Sequence, residues 1–196
     1  MPASVLLTPL FTQMLQSGSD IIASAHTNRT STLIGLLNHG EIEFFLAPSQ
    51  TIGRAPQIVV RLFASFPLVL RGRGGHPLQS RSWVTWDEVQ EFPTIGTRYG
   101  TGGRDVSTNV PAHYEPVVSS ENYHVHAEVV AQTDALCAFL SCQQTPGLVD
   151  IACESGELPP QLDIMLVRSR GRRLSSAAIE VLKNLEGISE SLLRKR

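Results

Sequence analysis

The feature that most constrains the fold is a helix followed at once by a strand in "TNRTSTLIGLLNHGEIEFFLAP", residues 27–48. Hydroxyl residues that suit a helix start precede the apolar residues of 33–37, and Gly40 follows them as a stop signal. "EIEFFLAP" then predicts a strand that ends at Pro48. Because "DIIASA", just upstream, is a further strand candidate, the region predicts a β-α-β unit with parallel pairing and an α/β fold.

The same alternation continues along the chain in two blocks. Helices are predicted over 2–15, "TWDEVQEF", "TDALCAFLSC" and a long C-terminal segment capped by Ser175, with Ile179, Leu182, Leu185 and Ile188 on one face. Strands are predicted over 58–70 with a break near 65–67, and in "PTIGT", "NYHVHAEVV", "GLVDIA" and "LDIMLVR".

Composition excludes several classes of protein. The 196 residues carry a formal net charge of -2, so no global field draws the chain to nucleic acid or to an anionic membrane. No apolar run reaches the roughly 18 residues that a membrane helix needs. The N-terminus lacks a basic region typical of signal peptides, and three cysteines are an odd number for a disulfide framework. These features predict a protein of the reducing cytoplasm.

The stretch "RGRGGHPL", residues 71–78, invites four interpretations: a phosphate loop, an RGG-type nucleic-acid patch, a histidine ligand and a plain turn. A Walker loop requires GxxxxGK[ST], which is absent here. RGG segments are repetitive and disordered, whereas this one follows the apolar run "FPLVL". A single histidine beside Pro77 forms no ligand cluster. The sequence therefore predicts a tight glycine turn after a strand.

The titratable residues predict no metal or catalytic site. His124 and His126 share one face of the predicted strand "NYHVHAEVV" without a suitably spaced carboxylate or cysteine, which favours an exposed strand face. Cys137 lies in an apolar pattern typical of small buried thiols. No cofactor is predicted.

Five segments, in order, resemble the effector-binding domain of LysR-type transcriptional regulators. They are "TPLFTQML", "LIGLLNHGEIEFFLAP", "GHPL" after its strand, "WDEVQEFPTI" and "RSRGRRLSSAAIEVLKNL". The resemblance spans essentially the whole chain. The chain departs from the family in beginning at the first regulatory helix, without the preceding strand or helix-turn-helix, and in having "QQTPG" where the family has a Gly-x-Gly turn.

The resemblance implies an α/β fold of two lobes like that of type-2 periplasmic binding proteins, joined by crossover strands. We place lobe I at 1–63 plus 165–196 and lobe II at 64–164. It also implies that a small metabolite, most simply an organic anion, binds between the lobes, since helix starts in such sheets expose unpaired amides.

The candidate ligand residues follow from this placement. Ser4 and Thr30 stand where the family has effector-binding hydroxyls, although simple helix capping would also explain them. In the glycine-rich loop "TRYGTGGRDV" the backbone approaches a ligand easily, and an arginine could pair with a carboxylate. The complete candidate set is Ser4, Thr30, Ser31, Arg98, Gly100, Thr101, Gly102, Arg104 and Thr145.

The function implied is ligand sensing without chemistry on the ligand. DNA would be contacted only through a helix-turn-helix outside this chain, no membrane is involved, and the domains would pair as a homodimer. Two alternatives stay open: a periplasmic solute-binding protein of the same fold, and a small two-lobed lyase or dehydratase. A dehydratase would need a cleft carboxylate or nucleophile with a shifted pKa.

Overall fold

The helix–strand segment at 27–48 folds as its sequence predicts. A helix spans Thr30–His39, and Gly40 ends it in a left-handed conformation with φ 77° that glycine adopts without strain. A strand, Phe44–Pro48, follows directly. The computed structural model describes residues 3–53, 55–97, 116–153 and 161–194.

The elements are named in chain order. The helices are α1 (Ser4–Ser17), α2 (Thr30–His39), α3 (Trp86–Gln90), α4 (Tyr123–Gln132) and α5 (Ser176–Arg194), with short 3-10 helices at Ser49–Thr51 and Pro77–Ser80. The strands are β1 (Phe44–Pro48), β2 (Ile58–Arg73), β3 (Ile95–Gly96), β4 (Val118–Ser119), β5 (Cys137–Leu140), β6 (Leu148–Ile151) and β7 (Gln161–Ser169).

The chain divides into two compact units. Unit 1 comprises Met1–Ser65 and Asp163–Arg196, and unit 2 comprises Phe66–Leu162. In unit 1 the strand order is β1-β7-β2, and β1 pairs with β7 in antiparallel register from Phe44 opposite Arg168 to Pro48 opposite Ile164. In unit 2, β5 and β6 both pair with β2 in antiparallel fashion.

Helices cover the sheet of unit 1. The buried face of α2 packs on β1, β2 and β7 in a core formed by Leu33, Leu37, Phe45, Ala47, Ile58 and Val167. Helices α1 and α5 pack against each other. On α5 the buried residues are Ala178, Leu182, Leu185 and Ser189. The predicted face is thus wrong for Ile179, which is 45% exposed, because the helix turns its small Ala178 inward instead.

Unit 2 has two buried clusters. One joins α3 to the sheet through Leu70, Leu78, Val84, Trp86, Val89, Leu136 and Ile151. The other joins α4 to β3 and β5 through Ile95, Val130, Cys137 and Phe139. The "RGRGGHPL" stretch is a turn, as predicted: Gly75 has φ 75°, and buried His76 accepts a hydrogen bond from the amide of Leu78. It also stacks on Phe92.

The predicted parallel β-α-β unit is wrong. "DIIASA" forms no strand and Ile22 is fully exposed, so β1 takes its neighbour from the distant, antiparallel β7. Among the named strands of the described chain, β3 and β4 form a parallel pair, which is only two residues long.

Two further predictions are wrong in opposite ways: a predicted strand is a helix, and a predicted helix holds a strand. "NYHVHAEVV" is helix α4, not a strand, because the Asn122 side chain caps it and His126 and Val130 pack inward one helical turn apart. "TDALCAFLSC" holds strand β5, not a helix, because β2 needs a buried partner beside Leu68–Arg71. His124 is exposed on α4 and His126 is buried, so the predicted shared strand face does not exist.

The predicted break in β2 near 65–67 is also wrong. The strand runs unbroken over Ile58–Arg73. Pro67 donates no hydrogen bond, but its carbonyl accepts one from the amide of Ser141 at 2.9 Å.

Candidate functional site

Three of the described α-helices begin with a side-chain cap. Thr85 and Glu88 form a complete capping box at α3, which lowers the pKa of the Glu88 carboxyl through hydrogen bonds from Thr85. Asn122 accepts from the amide of His124 at 3.0 Å to cap α4. Ser175 accepts from the amide of Ala178 at 3.1 Å at the start of α5. At these helices side chains satisfy part of the exposed amide set.

Helices α1 and α2 begin without a side-chain cap. Their N-cap residues are Ala3 and Arg29, and neither side chain accepts a hydrogen bond from the first turn. Neither first turn contains an acidic residue. Among the described residues, no side-chain acceptor caps the positive end of either helix dipole, which suits an external anion.

Thr30 is the first residue of α2 and does not cap it. Its hydroxyl donates to the hydroxyl of Thr51 at 2.8 Å, and Thr51 in turn donates to the carbonyl of Pro48 at 2.8 Å. Because the proton of Thr51 is used on Pro48, the proton of Thr30 is used on Thr51. The Thr30 oxygen is thus left as an acceptor at the helix start.

Ser31 and Ser4 are the two candidate serines, and both lie in the first turn of an uncapped helix. Both are exposed. Within the described part of the chain their side chains make no hydrogen bond. The capping explanation offered by the sequence therefore fails for both serines and for Thr30.

A groove with a volume of about 540 Å³ lies beside the Ser49–Thr51 helix in unit 1. It is lined mainly by apolar side chains, with Ile58 and Val60 from β2 and Met165 from β7. Ser49 supplies a hydroxyl to its edge. Thr51, at the end of this short helix, bonds to Thr30, so the helix whose Ser49 borders the groove is also tied to the start of α2.

Thr145 lies in unit 2, in the turn between β5 and β6. Its hydroxyl accepts a hydrogen bond from Nη1 of Arg71 at 3.0 Å. Arg71 is buried on β2 and also pairs with Asp150, Nε to Oδ1 at 2.7 Å.

The two thiols of unit 2 nearest these groups are not activated. Burial raises the pKa of Cys137 to about 12. Burial also raises the pKa of Cys142, and it outweighs the opposing charge of Arg71. Both are therefore protonated thiols at neutral pH, unlike the thiolate that a nucleophile requires.

The other candidates, Arg98, Gly100, Thr101, Gly102 and Arg104, lie outside the described residues. Among those described, Thr30 and Ser31 are adjacent, Ser4 begins a separate helix and Thr145 belongs to unit 2.

Sequence reasoning missed Thr51 and Arg71. Thr51 sits in a polar loop that offers no signal. Arg71 had one: it directly follows the apolar run "FPLVL", and an arginine that becomes buried at such a position needs several hydrogen-bond partners.

The described residues lack two kinds of feature. No helix among them is long and apolar enough to cross a membrane. No group of three or more His, Cys, Asp or Glu side chains in that part of the chain is placed to hold a metal ion.

The chain was compared with protein families, with curated proteins and with solved structures. A family model described as the LysR substrate binding domain matches residues 1–187. No curated protein matches the chain by sequence.

Several solved structures share the fold of this chain. A reduced form of OxyR from N. meningitidis has TM-score 0.74 and 18% identity, covering 98% of this chain and 92% of that one. The Synechocystis CcmR regulatory domain in complex with 2-PG has TM-score 0.72 and 17% identity, covering 96% and 93%. The effector binding domain of a BenM variant has TM-score 0.70 and 13% identity, covering 96% and 92%.

Proposed function

The chain belongs to the LysR substrate-binding-domain family, and from that premise we propose that the ligand it senses is a small organic anion received at the uncapped starts of α1 and α2. The chain is a ligand-sensing regulatory domain, and this membership favours that role over the solute-binding and lyase alternatives. In the intact regulator, ligand binding favours one arrangement of the domain and so changes contact with DNA.

One observation carries the anion proposal. The three capped α-helices of the described chain satisfy amides with side chains at their own starts, whereas the two uncapped α-helices carry the exposed hydroxyls of Ser4 and Ser31. Backbone amides, hydroxyl groups and the helix dipole together suit a carboxylate or phosphate. The apolar groove beside Thr51 would receive the body of such a ligand.

We propose further that no chemistry is done on the ligand and that the protein works in the cytoplasm. Neither Cys137 nor Cys142 is a thiolate at neutral pH, which argues against thiol catalysis. All three cysteines are free, as is usual in a reducing compartment.

The anion proposal is tested by calorimetric titration of a panel of small carboxylates and phosphates. Thr30→Ala should weaken the best ligand by roughly 1 kcal/mol, or about fivefold, because loss of the hydrogen bond from Thr30 to Thr51 loosens the helix start that receives the ligand. Thr85→Ala is the matched control: it removes a cap, lowers stability by about 1 kcal/mol and should leave the affinity unchanged. Equal affinities for wild type and Thr30→Ala would remove Thr30 from the site.

We also propose a homodimer in which the α1 helix meets residues 147–155 of a second copy. Leu15 on α1 is 84% exposed, and Phe11 and Cys153 are partly exposed, so both surfaces offer apolar area. Two-fold pairing is the commonest assembly for such chains. Sedimentation should show a dimer at tens of micromolar, an order-of-magnitude value from a modest interface; a 21.4 kDa monomer at millimolar concentration would contradict it.

A further inference from the structure

Four arginines follow one another closely in unit 1, where β7 ends and the chain turns toward α5. They are Arg168, Arg170, Arg172 and Arg173. The last three are exposed, and Arg168 is partly buried. The segment 168–173 contains no acidic residue, so it carries four positive charges in six residues. We call it the arginine segment.

Arginines elsewhere in the described chain are paired with carboxylates. Five such ion pairs have N···O distances of 2.7–3.5 Å: Arg61 with Glu186, Arg71 with Asp150, Arg73 with Asp134, Arg81 with Glu88 and Arg194 with Glu190. No arginine of the arginine segment forms an ion pair within the described part of the chain. The formal net charge of -2 is therefore an average that hides a local positive surplus.

Contacts with neighbouring loops hold the arginine segment in place. The amide of Arg170 donates to the carbonyl of Gln57 at 2.9 Å, and its Nε donates to the carbonyl of Pro56 at 3.0 Å. The guanidinium of Arg172 lies beside Gly40, at the end of α2. The positive charges are thus mounted on the end of the sheet of unit 1, and only one nitrogen of the Arg170 guanidinium is engaged by a described residue.

The carboxylate nearest to this segment has another role. Glu43 accepts hydrogen bonds from the amide and the hydroxyl of Ser175, both at 2.7 Å, and so holds the start of α5. It lines a hollow of about 40 Å³ together with Arg172 and Arg173. Sites for small molecules are typically about 300–1,000 Å³. The hollow is too small for a metabolite, so the exposed row of arginines suits an extended partner instead.

The chemistry of the row favours the backbone of duplex DNA as that partner. A guanidinium binds phosphate oxygens through two parallel hydrogen bonds, and duplex DNA presents phosphates at high linear density. The arginine segment has no aromatic side chain on which unpaired bases could stack, which argues against single-stranded nucleic acid. A DNA-binding regulator also brings duplex DNA close to its own surface.

We infer that the arginine segment contacts the phosphate backbone of duplex DNA, without regard to base sequence, when the intact regulator is bound. Base-specific contact stays with a helix-turn-helix outside this chain. The inference needs DNA binding by the intact regulator but not the anionic effector, because the arginine segment includes neither Thr30 nor Ser31. Its failure would leave the proposed effector site standing.

The test measures binding of this chain to a fluorescent duplex of about 20 base pairs at about 20 mM salt, by anisotropy. The double variant Arg172→Gln with Arg173→Gln should bind about tenfold more weakly. Its plot of log affinity against log salt concentration should be shallower by about two, since each phosphate contact contributes about 0.9 to that slope.

The matched control is the double variant Arg61→Gln with Arg81→Gln. It changes the net charge by the same amount, but both of its arginines are exposed and already paired with carboxylates. Its affinity should stay within about twofold of wild type, and its salt slope should not change. Equal losses in the two double variants would show that net charge alone matters and would overturn the inference.

Two further variants separate charge from folding. Arg173→Gln alone, at a side chain that makes no hydrogen bond within the described chain, should leave the melting curve unchanged and lower the salt slope by about one. Arg173→Lys keeps the charge and should retain most of the affinity. A wild-type chain that does not bind the duplex at low salt would overturn the inference. So would poly-glutamate that binds as tightly as the duplex, because the partner would then be an acidic protein segment.

Discussion

Helices α2 and α3 begin in opposite ways. The five-residue α3 has a full capping box from Thr85 and Glu88, whereas α2, twice as long, starts at Thr30 with no side-chain cap. A five-residue helix closes few hydrogen bonds within itself, so a cap that satisfies its first amides contributes a large share of its stability. The longer α2 is held by Leu33 and Leu37 in the core of unit 1, so its first amides are free for another use. The difference separates a helix start that serves folding from one that is open to a ligand.

The largest effect on stability is expected from a substitution at the C-terminal end of α2. If core packing and the Gly40 end hold this helix, Gly40→Ala should lower the free energy of unfolding by about 1–2 kcal/mol, because φ is positive and the new Cβ would also displace the Arg172 guanidinium, the flexible end of an exposed side chain. Gly18→Ala, at the end of α1, meets no atom within 4 Å and should lower it by only about 1 kcal/mol. Urea unfolding measures both; equal losses would show that Arg172 moves freely.

How far the sequence predicts this molecule can be judged at the same elements. The limits of α2 and the cap of α3 were readable, because each depends on residues within one or two turns. "NYHVHAEVV" and "TDALCAFLSC" were not, since short apolar runs fit a strand or a buried helix equally well and only their partners decide. Their partners are β2 for Cys137–Leu140 and the cluster around Val130 for α4.

The candidate site also combines features that follow from nearby residues with features that depend on distant partners. Thr30 and Ser31 are candidates because they belong to a predicted helix start, and Thr30 also by its resemblance to the family's effector-binding hydroxyl; the structure does place both at a helix start. Their bonding could not be foreseen, since it depends on Thr51, 21 residues away. Arg71 depends on acceptors about 70 residues further along the chain.

A smaller effect is expected from pH at the capped helix α4. Burial lowers the pKa of His126 below its ordinary 6.5, against the opposing hydrogen bond to the Ser120 carbonyl. The unfolded chain therefore binds the proton on this histidine more tightly than the folded chain does. The contribution of neutral, buried His126 to the free energy of unfolding is complete above pH 6.5, and it is lost as the pH falls toward the lowered pKa. Between pH 7.5 and 5.5, the free energy of unfolding of His126→Gln should fall by less than that of the wild type.

Amide exchange measured across that pH range would locate the effect. After correction for intrinsic rates, the amides of α4 should open more easily at pH 5.5 and those of α2 should not. If amide exchange in α2 increased as much as in α4, the pH response would not arise from His126. The two helices would then not differ in their response to pH.

The smallest effect on stability is expected from Ser31→Ala, and it is the sharpest test of the open helix start. The Ser31 side chain is exposed and makes no hydrogen bond within the described chain, so its loss should change the free energy of unfolding by no more than about 0.5 kcal/mol. A side chain with no partner in the protein has no structural reason to alter ligand affinity. If Ser31 contacts the anion, Ser31→Ala should nevertheless weaken binding several-fold in calorimetry, with an unchanged melting curve. Thr85→Ala should give the reverse pattern, with lower stability and unchanged affinity. Should both variants bind the anion like wild type, the amides at the start of α2 would serve no ligand, and its missing cap would be only a consequence of the core that holds it.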